Sequence, residues 1–279
     1  MIIPADIADR LRTARGFVFD LDGTLVLGDK KHGGMRALPG ALELTRLLRD
    51  RGIPFVVLTS GSAKTPGEYA QTLKGVGFPS DHTTVQTPAS VAAEYFVRRK
   101  LGRVMVLGSA GAWLPLEEAG IEVIRPGVRA AADAVFIGFY RDFTIDHLEA
   151  ACQAIWQGAK LFTSAYVPVF ATAQGKAIGI PLALCSAIQA VTGCRAKILG
   201  KPSIEALRTA GRFLGAGLTD LVVVGDDPLL EVAMAHRGGA LAIGVTTGLA
   251  KSADFAALPP PRRPHLVLDD VGGLLAMMR

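Results

Sequence analysis

Gly16-Phe17-Val18-Phe19-Asp20-Leu21-Asp22-Gly23-Thr24 is the stretch that decides how this chain is read. Its first four residues carry no polar side chain, as in a strand buried on both faces of a parallel sheet. Two aspartates, two positions apart, follow at once. The carboxyl end of a strand is where α/β sheets place their ligands. Asp20 and Asp22 can share one site if the chain turns just there. Gly23 permits that turn and lets backbone N–H groups approach a bound anion. One carboxylate could then attack phosphorus while the other protonates the leaving oxygen. The plain alternative is an Asp- and Gly-rich turn closing a strand. With each residue type at about 6% of usage, Asp-x-Asp-Gly-Thr arises by chance in only a few per thousand chains of this length.

Outward from this stretch the same rhythm repeats. Leu38 to Arg51 sets Leu44, Leu47 and Leu48 on one helical face, and Gly52 stands where a C-terminal cap belongs. Ile53 to Leu58 predicts a second buried strand, with Pro54 at its start. Thr65 to Lys74 predicts a helix. Toward the C-terminus, Pro202 to Leu214 reads as a helix with Pro202 in its first turn, Leu221 to Gly225 as a strand, Leu229 to Arg237 as a helix and Ala240 to Val245 as a strand. The prolines from Pro259 to Pro264 make a stiff loop before a last short strand, Leu266 to Leu268. Strands alternating with helices predict an α/β fold with a doubly wound, Rossmann-like parallel sheet. The middle has its own strand runs (Arg103 to Leu107, Ala134 to Phe139, Lys160 to Thr163) and a helix over Ile145 to Gln157. A second, smaller α/β unit inserted in the first explains them.

The composition fits such a fold and excludes others. The 279 residues are 50% hydrophobic and 20% charged. That is enough apolar material for two cores at roughly 150 residues per domain. Mean hydropathy is +0.35, yet the apolar runs are broken well short of the roughly 18 residues of a membrane span. The N-terminus, Met1 to Asp6, has no basic segment leading into an apolar one, so no secretory signal is read. Cys152, Cys185 and Cys194 make neither a disulfide framework nor a zinc motif, and a cytoplasmic location is expected. They are expected to be small buried apolar groups. The net charge of +5, with a pI near 9.2, is spread along the chain rather than gathered in an arm, so neither nucleic acid nor membrane is expected as a partner. The five histidines show no ligand spacing and are expected at the surface or in loops. Trp113 and Trp156 are expected to pack in the inserted unit.

Three further features could carry chemistry. Thr59-Ser60 follows the second strand, where hydroxyl and N–H groups can hold a phosphate. Lys201 precedes a helix and could neutralise a carboxylate or phosphate. Gly225-Asp226-Asp227, with Glu231 shortly after, ends the strongest C-terminal strand. Such oxygen ligands suit a hard cation, and acidic capping of the next helix is the alternative. Gly108-Ser109-Ala110-Gly111 also follows a strand but lacks the full Gly-x-Gly-x-x-Gly pattern of a dinucleotide site.

Taken together, in this order and with the long interval between Ser60 and Lys201, these features resemble the haloacid dehalogenase superfamily of hydrolases. The resemblance is to subfamily IIA, the NagD-like and 4-nitrophenylphosphatase-like phosphatases. It extends through Val104 to Gly108, the stretch Asp133 to Cys152 around Gly138-Phe139-Tyr140-Arg141-Asp142-Phe143-Thr144, and Ile198 to Ser203. It implies a catalytic core over 1–100 and 197–279 and an inserted C2-type cap over 101–196. It implies a Mg²⁺-dependent phosphatase acting on a small phosphate monoester through an aspartyl-phosphate. Asp20 would be the nucleophile and Asp22 the general acid, then base. Thr59, Ser60, Gly23 and Lys201 would bind the phosphoryl group. Asp20, the carbonyl of Asp22 and Asp226 would hold Mg²⁺, with Glu231 and Asp227 in support. A homodimer through the cap is also implied.

Three departures bear on substrate choice. Ser60 stands where the family usually has Asn. Thr163-Ser164-Ala165-Tyr166 replaces a loop close to Thr-Asn-x-Asp. The loop from Val26 to Leu38 is longer than usual and carries Lys30, Lys31, His32 and Arg36, read here as surface charge. A dehalogenase would not need Asp22, and a phosphomutase would not need this type of cap. The rival from another class is a non-catalytic, or very narrowly specific, phosphoester-binding regulator on the same fold.

Overall fold

The computed structural model describes residues 4–29, 34–79, 84–172 and 175–279. Lys30, Lys31, His32 and His82 lie outside the described residues. The chain forms two compact units. One comprises Met1–Thr59, Gly67–Gln86 and Leu207–Arg279; the other comprises Ser60–Pro66 and Thr87–Ala206.

The first unit is built on a six-stranded sheet. Its strand order is Leu266–Leu268, Leu241–Val245, Leu221–Gly225, Gly16–Phe19, Phe55–Leu58, Thr84–Gln86, and every neighbouring pair is parallel. The four central strands are buried at every position. That is why they read in the sequence as unbroken apolar runs rather than as alternations. Phe17, Phe19 and Phe55 lie among the helix residues Leu44, Leu48 and Leu274 in one core cluster. The Phe17 and Phe19 rings stack at 5.8 Å, and Phe19 meets Phe55 edge-on at 6.1 Å. Truncating one such buried ring to alanine costs about 3–5 kcal/mol. The strand order reverses between Gly16–Phe19 and Leu221–Gly225, and a doubly wound sheet opens its ligand crevice at that point.

The second unit has a five-stranded sheet in the order Lys197–Ile198, Lys160–Thr163, Ala134–Ile137, Arg103–Leu107, Glu122–Ile124, also parallel throughout. Successive side chains face opposite sides. Met105, Leu107, Val135, Ile137 and Leu161 pack with the helices Ile145–Trp156 and Ile180–Thr192. On the other side Phe136 and Phe162 meet Phe96 of helix Pro88–Arg99 at 6.0 and 5.0 Å. Thr87 and Ser90 close a reciprocal capping box at the start of that helix. No helix among the described residues is long and apolar enough to cross a membrane.

Several local expectations are corrected. Pro202 does not open a helix. Gly200 to Ser203 closes a turn, with Ser203 N–H on the Gly200 carbonyl at 2.9 Å, and the helix runs Ile204–Leu214. The predicted helix over Leu229 to Arg237 begins as a wide turn, Pro228–Val232, before the α-helix Ala233–Gly238. The sequence reading had no place for two antiparallel hairpins, Val26–Asp29 with Gly34–Ala37 and Val169–Thr172 with Gly175–Ile178. Trp156 is 58% exposed instead of packed, whereas the Arg125 guanidinium stacks 3.4 Å over Trp113. Cys152 and Cys185 are buried, and burial pushes the Cys185 thiol up to about 12.

Candidate active site

The strand Gly16–Phe19 delivers Asp20 at its carboxyl end. The Asp20 N–H still bonds the Val224 carbonyl at 2.9 Å, so the sheet ladder fixes the residue up to its own backbone. Asp20 is only 6% exposed, and its carboxylate accepts a bond from the buried Thr24 hydroxyl at 3.0 Å. Between Asp20 and Thr24 the chain turns tightly. Gly23 N–H donates to the Val26 carbonyl, and Leu25 and Val26 both donate to Leu21. Asp22, on the outside of this turn, is exposed.

Gly23 has φ +93°, a conformation that favours glycine, and it also lacks room for a side chain. A Cβ there would sit 2.7 Å from Asp226 Oδ2 and 2.9 Å from the Gly248 Cα. Asp226 follows the neighbouring strand Leu221–Gly225 and is likewise buried, at 5% exposure. Its Oδ2 accepts the Leu249 N–H at 2.9 Å. A Cβ on Gly248 would come within 1.8 Å of the same oxygen. The Thr247 hydroxyl reaches the Gly23 carbonyl at 2.5 Å. Three loops, following three adjacent strands, thus converge on the Asp226 carboxylate.

Asp227 and Glu231 do something else. Asp227 Oδ1 caps the Leu229 N–H at 2.7 Å, and Glu231 folds back to accept the Asp227 N–H at 3.1 Å. The capping alternative describes Asp227, while Asp226 faces the loops. The buried Glu231 side chain also fills the space over Gly225, where a Cβ would lie 2.2 Å from its Cγ.

Thr59 ends the strand Phe55–Leu58 on the other side of Asp20. It is 1% exposed, with its N–H on the Gln86 carbonyl at 3.1 Å. Ser60 and Lys201 belong to the second unit. Lys201 is buried, in the turn that carries the chain from Lys197–Ile198 into Ile204–Leu214. Glu205 anchors that turn, holding Lys197 at 3.2 Å and Arg98 at 3.3 Å with its own side chain buried. Ser164, in the loop that departs from the family pattern, is 1% exposed, and its hydroxyl has no hydrogen-bond partner among the described residues.

Sequence reasoning missed Gly248, Leu249 and Tyr69. The first two follow a predicted strand, and the strand-end rule applied there as well would have found them. Tyr69 lies on the helix Pro66–Val76, where nothing marks it in the sequence. Burial, then the negative charges of Asp22 and Glu68, push its hydroxyl up to about 12, so it stays a proton donor near Asp22.

The donor set suits a hard divalent cation. Asp20 and Asp226 are buried carboxylates on adjacent strands, and the tight approach of Gly23 and Gly248 leaves Asp226 Oδ2 little freedom to turn away. Asp20, Asp226 and a loop carbonyl such as that of Asp22 are the groups that would hold it.

Comparison with known proteins places the chain among haloacid dehalogenase-like sequences. Residues 17–122 match the family model described as haloacid dehalogenase-like hydrolase, and residues 198–274 match a second, HAD-hydrolase-like model. The chain is 28% identical to the 5′-nucleotidase YutF of Bacillus subtilis, over 86% of this chain and 90% of that protein. It is 25% identical to the ribonucleotide monophosphatase NagD of Escherichia coli, over 88% and 93%. The crystal structure of a 4-nitrophenylphosphatase from Thermotoga maritima superposes with a TM-score of 0.83 at 25% identity, covering 96% of this chain and 98% of that one.

Proposed function

The chain belongs to the haloacid dehalogenase-like hydrolases, among the subfamily IIA phosphatases, and from that premise we propose that it hydrolyses a small phosphate monoester through an aspartyl-phosphate with Mg²⁺ bound. One observation carries the reading. Asp20 and Asp226 are both buried at the carboxyl ends of adjacent parallel strands, where the strand order reverses. Burying two carboxylates side by side is costly unless a cation or protons offset the charge. A phosphatase needs such an arrangement: one carboxylate to attack and a field that stabilises the transferring phosphoryl group.

An Asp20 carboxylate oxygen attacks phosphorus as the P–O bond to the leaving group breaks. Asp22 gives its proton to the departing oxygen. Asp22 then takes a proton from water, and the resulting hydroxide displaces phosphate from Asp20, restoring both carboxyl groups. The exposure of Asp22 suits a residue that must exchange its proton with solvent within each turnover. Thr59 and Ser60 hold the phosphoryl oxygens, and Lys201 offsets their charge by family resemblance; the Gly23 N–H is taken by the Val26 carbonyl, so Gly23 serves the turn and not the phosphoryl group. Bound Mg²⁺ would supply positive charge against the transferring phosphoryl group. Asp227 and Glu231 act in support, by shaping the loop that carries Asp226.

The substrates in the relatives' names include nucleotides, sugar phosphates and dihydroxyacetone phosphate. A member of that group of small esters is proposed here, with the inserted segment 101–196 choosing the leaving group. A homodimer through that segment belongs to the same proposal. Phosphate release should be measured on a panel of such esters, with and without Mg²⁺, for wild type and Asp20→Asn. Metal-dependent turnover that falls at least about a thousandfold in the variant is expected. Tight ester binding by folded protein without turnover would instead establish the non-catalytic regulator.

A further inference from the structure

Gly108-Ser109-Ala110-Gly111 is left over by the catalytic reading, and the structure gives it an occupant from the chain itself. Ser109 stands at the N-cap of the helix Ala110–Glu118, but its hydroxyl makes no capping bond. It donates instead to the Ala63 carbonyl at 3.2 Å. Gly111 has no space for a side chain, since a Cβ there would lie 2.6 Å from backbone atoms of Ala63 and Lys64. Ser62 completes the seat. It is 6% exposed, and its Oγ accepts the Phe139 N–H at 3.0 Å. The Phe139 carbonyl in turn accepts the Ser109 N–H at 3.0 Å. Gly108 and Gly138 bring these turns together, because a Cβ on either would collide with the Ala112 Cβ, at 2.4 and 2.7 Å.

The gripped segment, Ser60–Pro66, runs on directly from Thr59 and belongs to the second unit. We propose that Ser62, Ser109 and Gly111 are positioning residues: the ends of two strands of the inserted unit clamp residues 61–65 and thereby fix where Thr59 and Ser60 present their hydroxyl and N–H groups. The proposal rests on the reading of Thr59 and Ser60 as phosphoryl ligands. It assigns the glycine motif to backbone seating and not to a nucleotide. A phosphoryl ligand displaced by about 1 Å can cost about a hundredfold in rate, so the effect on rate exceeds the effect on stability.

The test compares wild type, Ser62→Ala, Ser62→Thr and Ser109→Ala. Three readouts are taken: 4-nitrophenyl phosphate kinetics, inorganic phosphate binding by calorimetry, and hydrogen exchange at residues 60–66. Ser62→Ala should lower kcat/KM by roughly tenfold to a hundredfold, weaken phosphate binding and speed exchange in 60–66, with the strand Gly16–Phe19 unchanged. Ser62→Thr, which keeps the hydroxyl, should restore most of the loss, and Ser109→Ala should reproduce it in weaker form. Faster exchange with unaltered kinetics and phosphate binding overturns the positioning role, and unaltered exchange overturns the clamp. If wild type turns over no ester, the phosphatase reading fails separately, and calorimetry decides the clamp. Weaker phosphate binding in Ser62→Ala then supports it, and equal or absent binding overturns it.

Discussion

Gly248 is an inconspicuous residue whose missing side chain sets the position of a carboxylate. Adding a methyl group at 248 places a carbon 1.8 Å from Asp226 Oδ2, so Asp226 must swing or the loop must open. Either movement detaches the Leu249 N–H from that oxygen. Gly248→Ala is therefore expected to raise the Mg²⁺ concentration for half-maximal activity by about tenfold or more, the loss of roughly one charge-assisted hydrogen bond. Titrating activity against Mg²⁺ checks this. Gly75→Ala is the control, because no atom of the described residues lies within 4 Å of its Cβ position in the helix Pro66–Val76. That variant should keep wild-type metal dependence and gain up to about 1 kcal/mol of stability from helix propensity. An unchanged Mg²⁺ titration in Gly248→Ala would mean that Asp226 takes no part in holding the cation.

Among the elements, the edge strand Leu266–Leu268 pairs with Ile243–Val245, and the histidine before it extends that pairing. His265 pairs twice with Ala242: its N–H donates to the Ala242 carbonyl at 2.9 Å, and its Nδ1 accepts the Ala242 N–H at 3.0 Å. Accepting at Nδ1 requires the neutral ring. Burial, then the positive charge of Arg10 and of His236, hold its pKa below the ordinary 6.5, against smaller opposing effects of the Ala242 bond and Asp6. The unfolded chain therefore binds a proton that the folded one refuses. The stability contributed by the neutral ring is whole above pH 6.5 and is lost as pH falls from 6.5 toward the depressed folded value. His265→Asn keeps a short acceptor without the titration, so its melting temperature should fall less than that of wild type between pH 7.5 and 5.5. Parallel melting curves would overturn this. The same histidine shows where sequence reading stops. Strands such as Leu221–Gly225 are legible because double-sided burial demands continuous apolar runs, and Asp20 and Asp226 are legible because they end such runs. His265 and His236, with rings 5.1 Å apart, are 29 positions apart in the chain, and only the sheet order brings them together. The hairpin Gly34–Ala37 with Val26–Asp29 was illegible for a different reason: its second strand alternates only between exposed and half-buried positions, so no strong apolar pattern marks it.

At the scale of the molecule, the division into two units determines where a bound cation is felt. Asp20 and Asp226 both belong to the first unit, on strands that share one hydrogen-bonded ladder. A ligand that binds only the folded form stabilises it by RT ln(1 + [L]/Kd), about 2.7 kcal/mol at a hundredfold excess over Kd. For units of this size that corresponds to a rise of several degrees in melting temperature. Two units with separate cores need not unfold together, so the gain should fall on the unit that holds the ligands. Mg²⁺ is expected to slow hydrogen exchange in Gly16–Phe19 and Leu221–Gly225. It should leave Arg103–Leu107 and Ala134–Ile137 close to their metal-free rates. Asp226→Asn removes one of the two buried charges that call for the cation, and it should abolish the Mg²⁺ response while raising metal-free stability, because the remaining carboxylate loses a like-charged neighbour. Exchange slowed equally in both sheets would show that the units open as one. A Mg²⁺ response surviving in Asp226→Asn would place the cation elsewhere in the molecule.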